Sequence, residues 1–290
     1  MANLKEVRTR IGSVSSTQQI TSAMKMVSAA KFRRAQNAIL GMRPYSAQLN
    51  EIMGDIDVED GVQTPYHDVR KLDSVLLVVV TSNKGLCGAF NSNVIKQAQA
   101  RIDHYTNEEK AGKLSMITIG KRATEFFSKR KGLVVGSHDE LLDKPAFDSV
   151  ATLADEVMER FCAKEYDRIE LIYNQFKNSL VQILSTEQFL PVMPKESGKE
   201  GKKRNDYIYE PSKEEILKEM VPLTLRSHFY RVVLDSLAAE HGARMNAMQK
   251  ATDNATELLK ELKLSYNKAR QAAITNEIIE IVSGSEALKG

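Results

Sequence analysis

The sequence predicts an α/β domain inserted between two long terminal helices that form an antiparallel coiled coil. Three observations carry this expectation. Residues 3–43 contain no proline and only two glycines, Gly12 and Gly41, so a long helix opens the chain. From about residue 70 to residue 210, short apolar runs alternate with helical patterns, as in a mostly parallel sheet. After Pro222 no proline follows, and only Gly242 breaks the run before Gly284.

The first segment, residues 1–57, has Leu4, Val7, Ile11 and Val14 at the three-and-four spacing of a coiled-coil seam. The frame then shifts and resumes at Ile20, Met24 and Val27. Ser22, Ala23, Ser28, Ala29 and Ala30 are small enough to let another backbone approach closely. Pro44 is expected to kink or end this helix. A weaker pattern, Leu49, Ile52, Met53 and Ile56, follows it.

In the second segment, residues 70–210, "SVLLVVVT" (74–81) is a continuous apolar run, as for a strand covered on both faces. Residues 91–105 read as a helix, 114–120 as a strand, 121–130 as a helix and 133–136 as a short strand. Residues 147–166 form an amphipathic helix with Val150, Leu153, Val157 and Phe161 on one face. Residues 167–176 and 180–190 are two strands joined as a hairpin. The stretch "PKESGKEGKKRND" (194–206) is charged, lacks apolar residues and reads as a mobile loop.

The third segment, residues 212–286, opens on a capping-box pattern, Ser212 and Glu215, and is interrupted at Pro222. Roughly 60 residues of helix would then run for about 90 Å, which points to a coiled coil. If Pro44 and Pro222 break their helices at one level, partner residue numbers sum to roughly 266. Residues beyond about 265 then lack a partner from their own chain, an overhang of roughly 30 Å. The overhang is apolar: Ile274, Ile278, Ile279, Ile281 and Val282 cover an arc of about 160° on a helical projection. Such a face needs a cover. The alternatives are a tip that folds into a core of its own, a homodimer, and an apolar sleeve supplied by a partner.

Composition narrows the classes. No run approaches the roughly 18 apolar residues of a membrane span, and the first residues lack the apolar core of a secretory signal. The two cysteines, Cys87 and Cys162, form no framework or CxxC pair, which fits a reducing, cytoplasmic setting. The histidines lack metal-ligand spacing. Residues 1–50 carry Lys5, Arg8, Arg10, Lys25, Lys31, Arg33, Arg34 and Arg43 against one acid, Glu6. This is a solvated helix face or a surface for an anionic partner. Nucleic acid is the weaker choice, because only Phe32 and Tyr45 offer stacking faces there.

The turn "SNKGLCGAF" (82–90) follows a strand and precedes a helix, where phosphates often bind. It fails both phosphate-loop patterns: no Lys-Ser/Thr follows Gly88, and only Gly85 and Gly88 of a G-x-G-x-x-G are present. "IGKRAT" (119–124) has Ser115 where a Walker loop needs its first glycine. The expectation is a tight structural turn with Cys87 half buried. No catalytic residue, cofactor or metal is assigned.

Together these residues resemble the gamma subunits of F-type ATP synthases. The resemblance lies in "IGSVSSTQQITSAMKMVSAAKFRRAQ" (11–36), "RPYS" (43–46), "NKGLCGAFN" (83–91), "ARMNAMQKATDNA" (243–255) and "YNKARQAAITNEIIEIVSG" (266–284). It implies a non-catalytic central rotor shaft that couples ion flow through a membrane ring to ATP synthesis or hydrolysis. The implied partners are three alpha and three beta subunits, the epsilon subunit and the ring of c subunits. The implied place is the cytoplasmic face of the bacterial plasma membrane, held peripherally. Ile274, Ile278, Ile279, Ile281 and Val282 would turn inside the alpha/beta sleeve. Arg270, Gln271, Thr275 and Glu277 match a catch with beta. Met24, Lys25 and Arg244 match the family's coupling region, with Arg244 opposite Met24. Residues 194–211 are candidates for contact with epsilon or the ring. Two other classes stay open on the residues alone: a nucleotide-binding α/β protein with coiled-coil arms, and a homo-oligomeric tether.

Overall fold

The computed structural model describes residues 4–56, 64–107, 109, 111–130, 132–143, 145–193 and 213–287. The charged stretch 194–206, the candidate contact segment 194–211 and Ser212 lie outside them. In chain order the elements are α1 (Leu4–Ile56), β1 (Ser74–Val80), α2 (Phe90–Asn107), β2 (Lys113–Ile119), α3 (Lys121–Phe127), β3 (Val134–Ser137), α4 (Phe147–Cys162), β4 (Arg168–Phe176), β5 (Gln182–Leu190) and α5 (Lys213–Ala287). Short 3-10 turns at Pro65–His67 and Asp139–Leu142 join them, and neither is announced by the sequence periodicity. The chain divides into two compact units, Ala29–Arg244 and Met1–Ser28 with Met245–Gly290.

In the unit Ala29–Arg244 the sheet order is β3-β2-β1-β4-β5. β1 pairs in parallel with β2 and β4, β2 in parallel with β3, and β4 antiparallel with β5. Alternate residues of β1 feed opposite faces. Leu76, Val78 and Val80 pack with α4 and with Leu217, Val221, Leu225, Phe229 and Val233 of α5. Val75, Leu77 and Val79 pack with Val94, Ala98 and Ile102 of α2 and Phe127 of α3. Both faces are covered, which is why β1 reads as an unbroken apolar run.

Neither proline ends its helix. α1 continues through Pro44 and α5 through Pro222. Pro44 is exposed, so water can take the carbonyl its missing N–H leaves without a partner. Around Pro222, Leu217, Val221 and Leu225 are buried in the sheet core, and this packing holds the helix across the missing bond.

In the other unit the two helices meet in a heptad seam that differs from the expected one. Val7, Thr21 and Ser28 are buried and Val14 half-buried, a strict seven-residue repeat with no frame shift. Ile20 and Val27, expected in the seam, are 59% and 58% exposed. On α5 the facing positions are Met248, Thr252, Ala255, Leu259, Leu262, Tyr266, Ala269 and Ala273. Thr252 donates to the Thr21 hydroxyl at 2.9 Å, and the Gln18 amide donates to Thr256 at 2.7 Å. These pairs sum to 273 and 274, not 266, a displacement of about two helical turns. The expected level rested on the two prolines as common endpoints, and they are not endpoints. Met24 is therefore level with residues 249–250 of α5 rather than 242.

Candidate functional site

The seam of α5 ends at Ala273, and every residue from Ile274 to Glu286 is exposed. The next seam positions would be Asn276 and Glu280, which are polar. The apolar residues of the tip leave that frame: Ile274 and Ile281 stand one residue after Ala273 and Glu280, and Ile278 two after Asn276, with Ile279 and Val282 beside them. Each residue of shift turns a side chain by about 100°, so this face does not continue the pairing with α1. The five side chains are 47–71% exposed. Arg270, Gln271, Thr275 and Glu277 are exposed as well, and the Thr275 hydroxyl donates to the Gln271 carbonyl at 2.9 Å.

Met24 and Lys25 are half-buried on α1, beside the exposed Met26. On the same helix, Lys31, Arg33 and Arg34 are exposed. Arg244 is placed differently: it is 8% exposed and belongs to the sheet-bearing unit. Its guanidinium donates to the Gly85 carbonyl, to the Lys84 carbonyl at 3.0 Å and to Glu240 at 2.6 Å.

These contacts show what the glycine-bearing turn does in this fold. Leu86 and Gly88 take left-handed φ values of 64° and 61°. This wraps the turn so that Cys87 points inward, 1% exposed rather than half buried, against Phe90 and Ala239. The Asn91 side chain fixes the turn, accepting from the Ser82 N–H at 2.9 Å and donating to Cys87 Sγ at 3.2 Å. Burial pushes the Cys87 thiol up, so it is a packed thiol rather than a nucleophile. The carbonyls of Lys84 and Gly85 are turned toward α5, where Arg244 takes both. Sequence reading missed Glu240, although its i,i+4 spacing from Arg244 was visible.

His241 is 8% exposed, and among the described residues its Nδ1 has no hydrogen-bond partner. Burial, with the Lys31 and Arg244 charges, pushes its pKa down to about 4. The folded chain thus keeps it neutral where the unfolded chain would protonate it. Stability is complete above about pH 6.5 and is lost as pH falls toward 4, by about 3 kcal/mol at full depth. Urea titrations of the wild type and His241→Leu between these limits check this: the variant's curve should be flatter above pH 5.

Among the described residues no group of side chains could hold a metal ion, and no helix is long and apolar enough to cross a membrane. Comparison with known proteins gives a whole-chain match. Residues 3–288 fit the family model described as ATP synthase. The ATP synthase gamma chain of Flavobacterium johnsoniae is 54% identical over 292 residues, covering 100% of both chains. That of Cytophaga hutchinsonii is 51% identical, covering 99% of each. Among solved structures, a chain of the central stalk and c-ring of Tetrahymena thermophila mitochondrial ATP synthase aligns with TM-score 0.61 and 26% identity, over 80% of this chain and 99% of that one. A chain of the Euglena gracilis OSCP/F1/c-ring assembly aligns with TM-score 0.70, over 98% of this chain and 94% of that one. At 22% identity it speaks for the fold alone.

Proposed function

The chain belongs to the ATP synthase gamma-chain family, and from that premise we propose how its surfaces serve a rotary complex. It is a central-stalk rotor subunit with no active site of its own. The exposed, frame-shifted apolar tip carries the reading. Ile274, Ile278, Ile279, Ile281 and Val282 turn inside an apolar sleeve made by three alpha and three beta subunits. Arg270, Gln271, Thr275 and Glu277 form a polar catch on beta at the base of that tip. The basic face of α1 runs past acidic loops of beta. The sheet-bearing unit rests on the c-ring and holds epsilon, at the cytoplasmic face of the membrane.

In this reading the shaft presents a different face to each beta subunit as it turns. Each nucleotide site then takes a different affinity in sequence, which is differential binding driven mechanically. Met24, Lys25 and Arg244 lie in the region where rotation and site closure are coupled. Met24→Lys adds a second cation beside half-buried Lys25. It is expected to lower ATP-driven proton pumping relative to ATP hydrolysis with little loss of assembly, read in inverted membrane vesicles. Unchanged pumping would remove Met24 from the coupling region.

Native mass spectrometry of the endogenous complex tests the assembly, with a tag between Gly198 and Gly201, far in sequence from the tip. The expected species holds one copy of this chain with three alpha and three beta subunits. A lone chain or homodimer, under conditions that keep the complex's other subunits together, would overturn the proposal.

A further inference from the structure

We infer that Glu240 is a positioning residue for Arg244, and that the pair pins α5 to the β1–α2 turn where torque passes between the sheet and the long C-terminal helix. The inference rests on the coupling role proposed above for Arg244.

The geometry is specific to a fork. Two successive carbonyls, of Lys84 and Gly85, are brought side by side by a turn whose next residues need left-handed backbone at Leu86 and Gly88. A guanidinium meets two adjacent acceptors with separate N–H groups in one plane, and an ammonium cannot. Arg244 uses Nη1 for Gly85 and Nη2 for Lys84. Nη2 also donates to Glu240 Oε1 at 2.6 Å, one helical turn back on α5. Glu240 is 7% exposed, so the pair is sheltered from water and its hydrogen bond is strong. With the carboxylate behind it, the guanidinium is held in the orientation that meets both carbonyls.

The surroundings make the pin rigid on both sides. Ala239 of α5 packs on Cys87 and Phe90 of the turn. Asn91 ties the turn to Ser82 at the end of β1, so a force on the turn reaches the central strand of the sheet. Gly242 lies against the β4–β5 hairpin, where a Cβ would stand 3.3 Å from the Ser179 carbonyl. Between residues 239 and 244, α5 thus meets connections after β1, the central strand of the sheet, and after β4 beside it. Burial costs the Glu240 carboxylate some of its ionised form, and the Arg244 charge opposes that cost. A buried ion pair is poor value as stability alone, which leaves orientation as its use.

The test uses the whole complex in inverted vesicles, with proton pumping and ATP hydrolysis measured on the same sample. Arg244→Ala and Glu240→Leu should each lower protons pumped per ATP severalfold, and Arg244→Lys should fall between. Glu240→Leu leaves the buried Arg244 guanidinium without its carboxylate, so assembly yield and inactivation temperature are measured beside the ratio; Glu240→Gln keeps an acceptor for Nη2 and should assemble in normal yield with a smaller fall in the ratio. If Arg244→Ala lowers the ratio and Glu240→Leu does not, Glu240 has no positioning role and the inference fails. If Arg244→Ala itself leaves the ratio unchanged, the coupling reading of Arg244 fails instead. If Glu240→Leu lowers the ratio only in step with lost assembly or thermal stability, the pair is a structural pin and the positioning role is overturned.

Discussion

Gly120→Ala is expected to destabilise the sheet-bearing unit by more than about 3 kcal/mol. Gly120 ends β2 with φ at 112°, a conformation that side chains rarely take. An added Cβ would stand 2.4 Å from the Thr81 carbonyl oxygen and 2.7 Å from its carbon. Neither atom can retreat. The Thr81 N–H donates to Ile119 at 2.8 Å, and its hydroxyl donates to the Gly120 carbonyl at 3.1 Å. The same hydroxyl accepts from the Ala123 N–H at 3.0 Å, at the start of α3. Relief of the clash therefore separates β1 from β2 at the end that carries the glycine turn. Against a typical domain stability of about 5–15 kcal/mol, this is a large fraction. Urea denaturation of the purified chain, followed by far-ultraviolet circular dichroism, reads it directly. A loss under about 1 kcal/mol would show that this close approach is not rigid.

Arg101→Met should cost about 3 kcal/mol through a different mechanism. Glu170 on β4 is 4% exposed, and its carboxylate is met by Arg101 of α2 at 2.5 and 2.9 Å and by the Tyr105 hydroxyl at 2.5 Å. Burial, with the Glu170 hydrogen bond, pushes the Tyr105 phenol up to about 12. Removing the guanidinium leaves a buried carboxylate with one neutral donor. The Arg101→Met/Glu170→Met double variant removes both charges and should recover most of the loss. A double variant no better than the single would place the cost in packing rather than in the stranded charge.

The sheet could be read from the sequence because its strands are short and bounded by helices or turns, and β1, β2 and β4 carry apolar runs. β1 shows it best: only a strand covered on both faces carries six consecutive buried aliphatic residues. The register of the coiled coil could not be read. Its seam passes through Thr21 and Ser28, which a hydrophobic pattern skips, while Ile20 and Val27 attract it and face outward. Thr21 is buried because Thr252 meets it, and that partner lies 231 residues away. Proline misled for a related reason: local chemistry says break, and the packing of Leu217, Val221 and Leu225 says continue. The tip was legible as an unpartnered apolar stripe, and the structure adds its frame shift after Ala273. The role of the glycine turn was not legible, since the acceptors are backbone carbonyls and the donor, Arg244, lies 159 residues away from Gly85.

A rotor shaft turns relative to the subunits around it. The direct measurement fixes alpha and beta to a surface, attaches a gold rod to a cysteine placed at Lys129, an exposed position just after α3, and adds ATP. The expected result is unidirectional rotation of the rod that stops when ATP is removed. A rod that stays still while the same molecules hydrolyse ATP would contradict it.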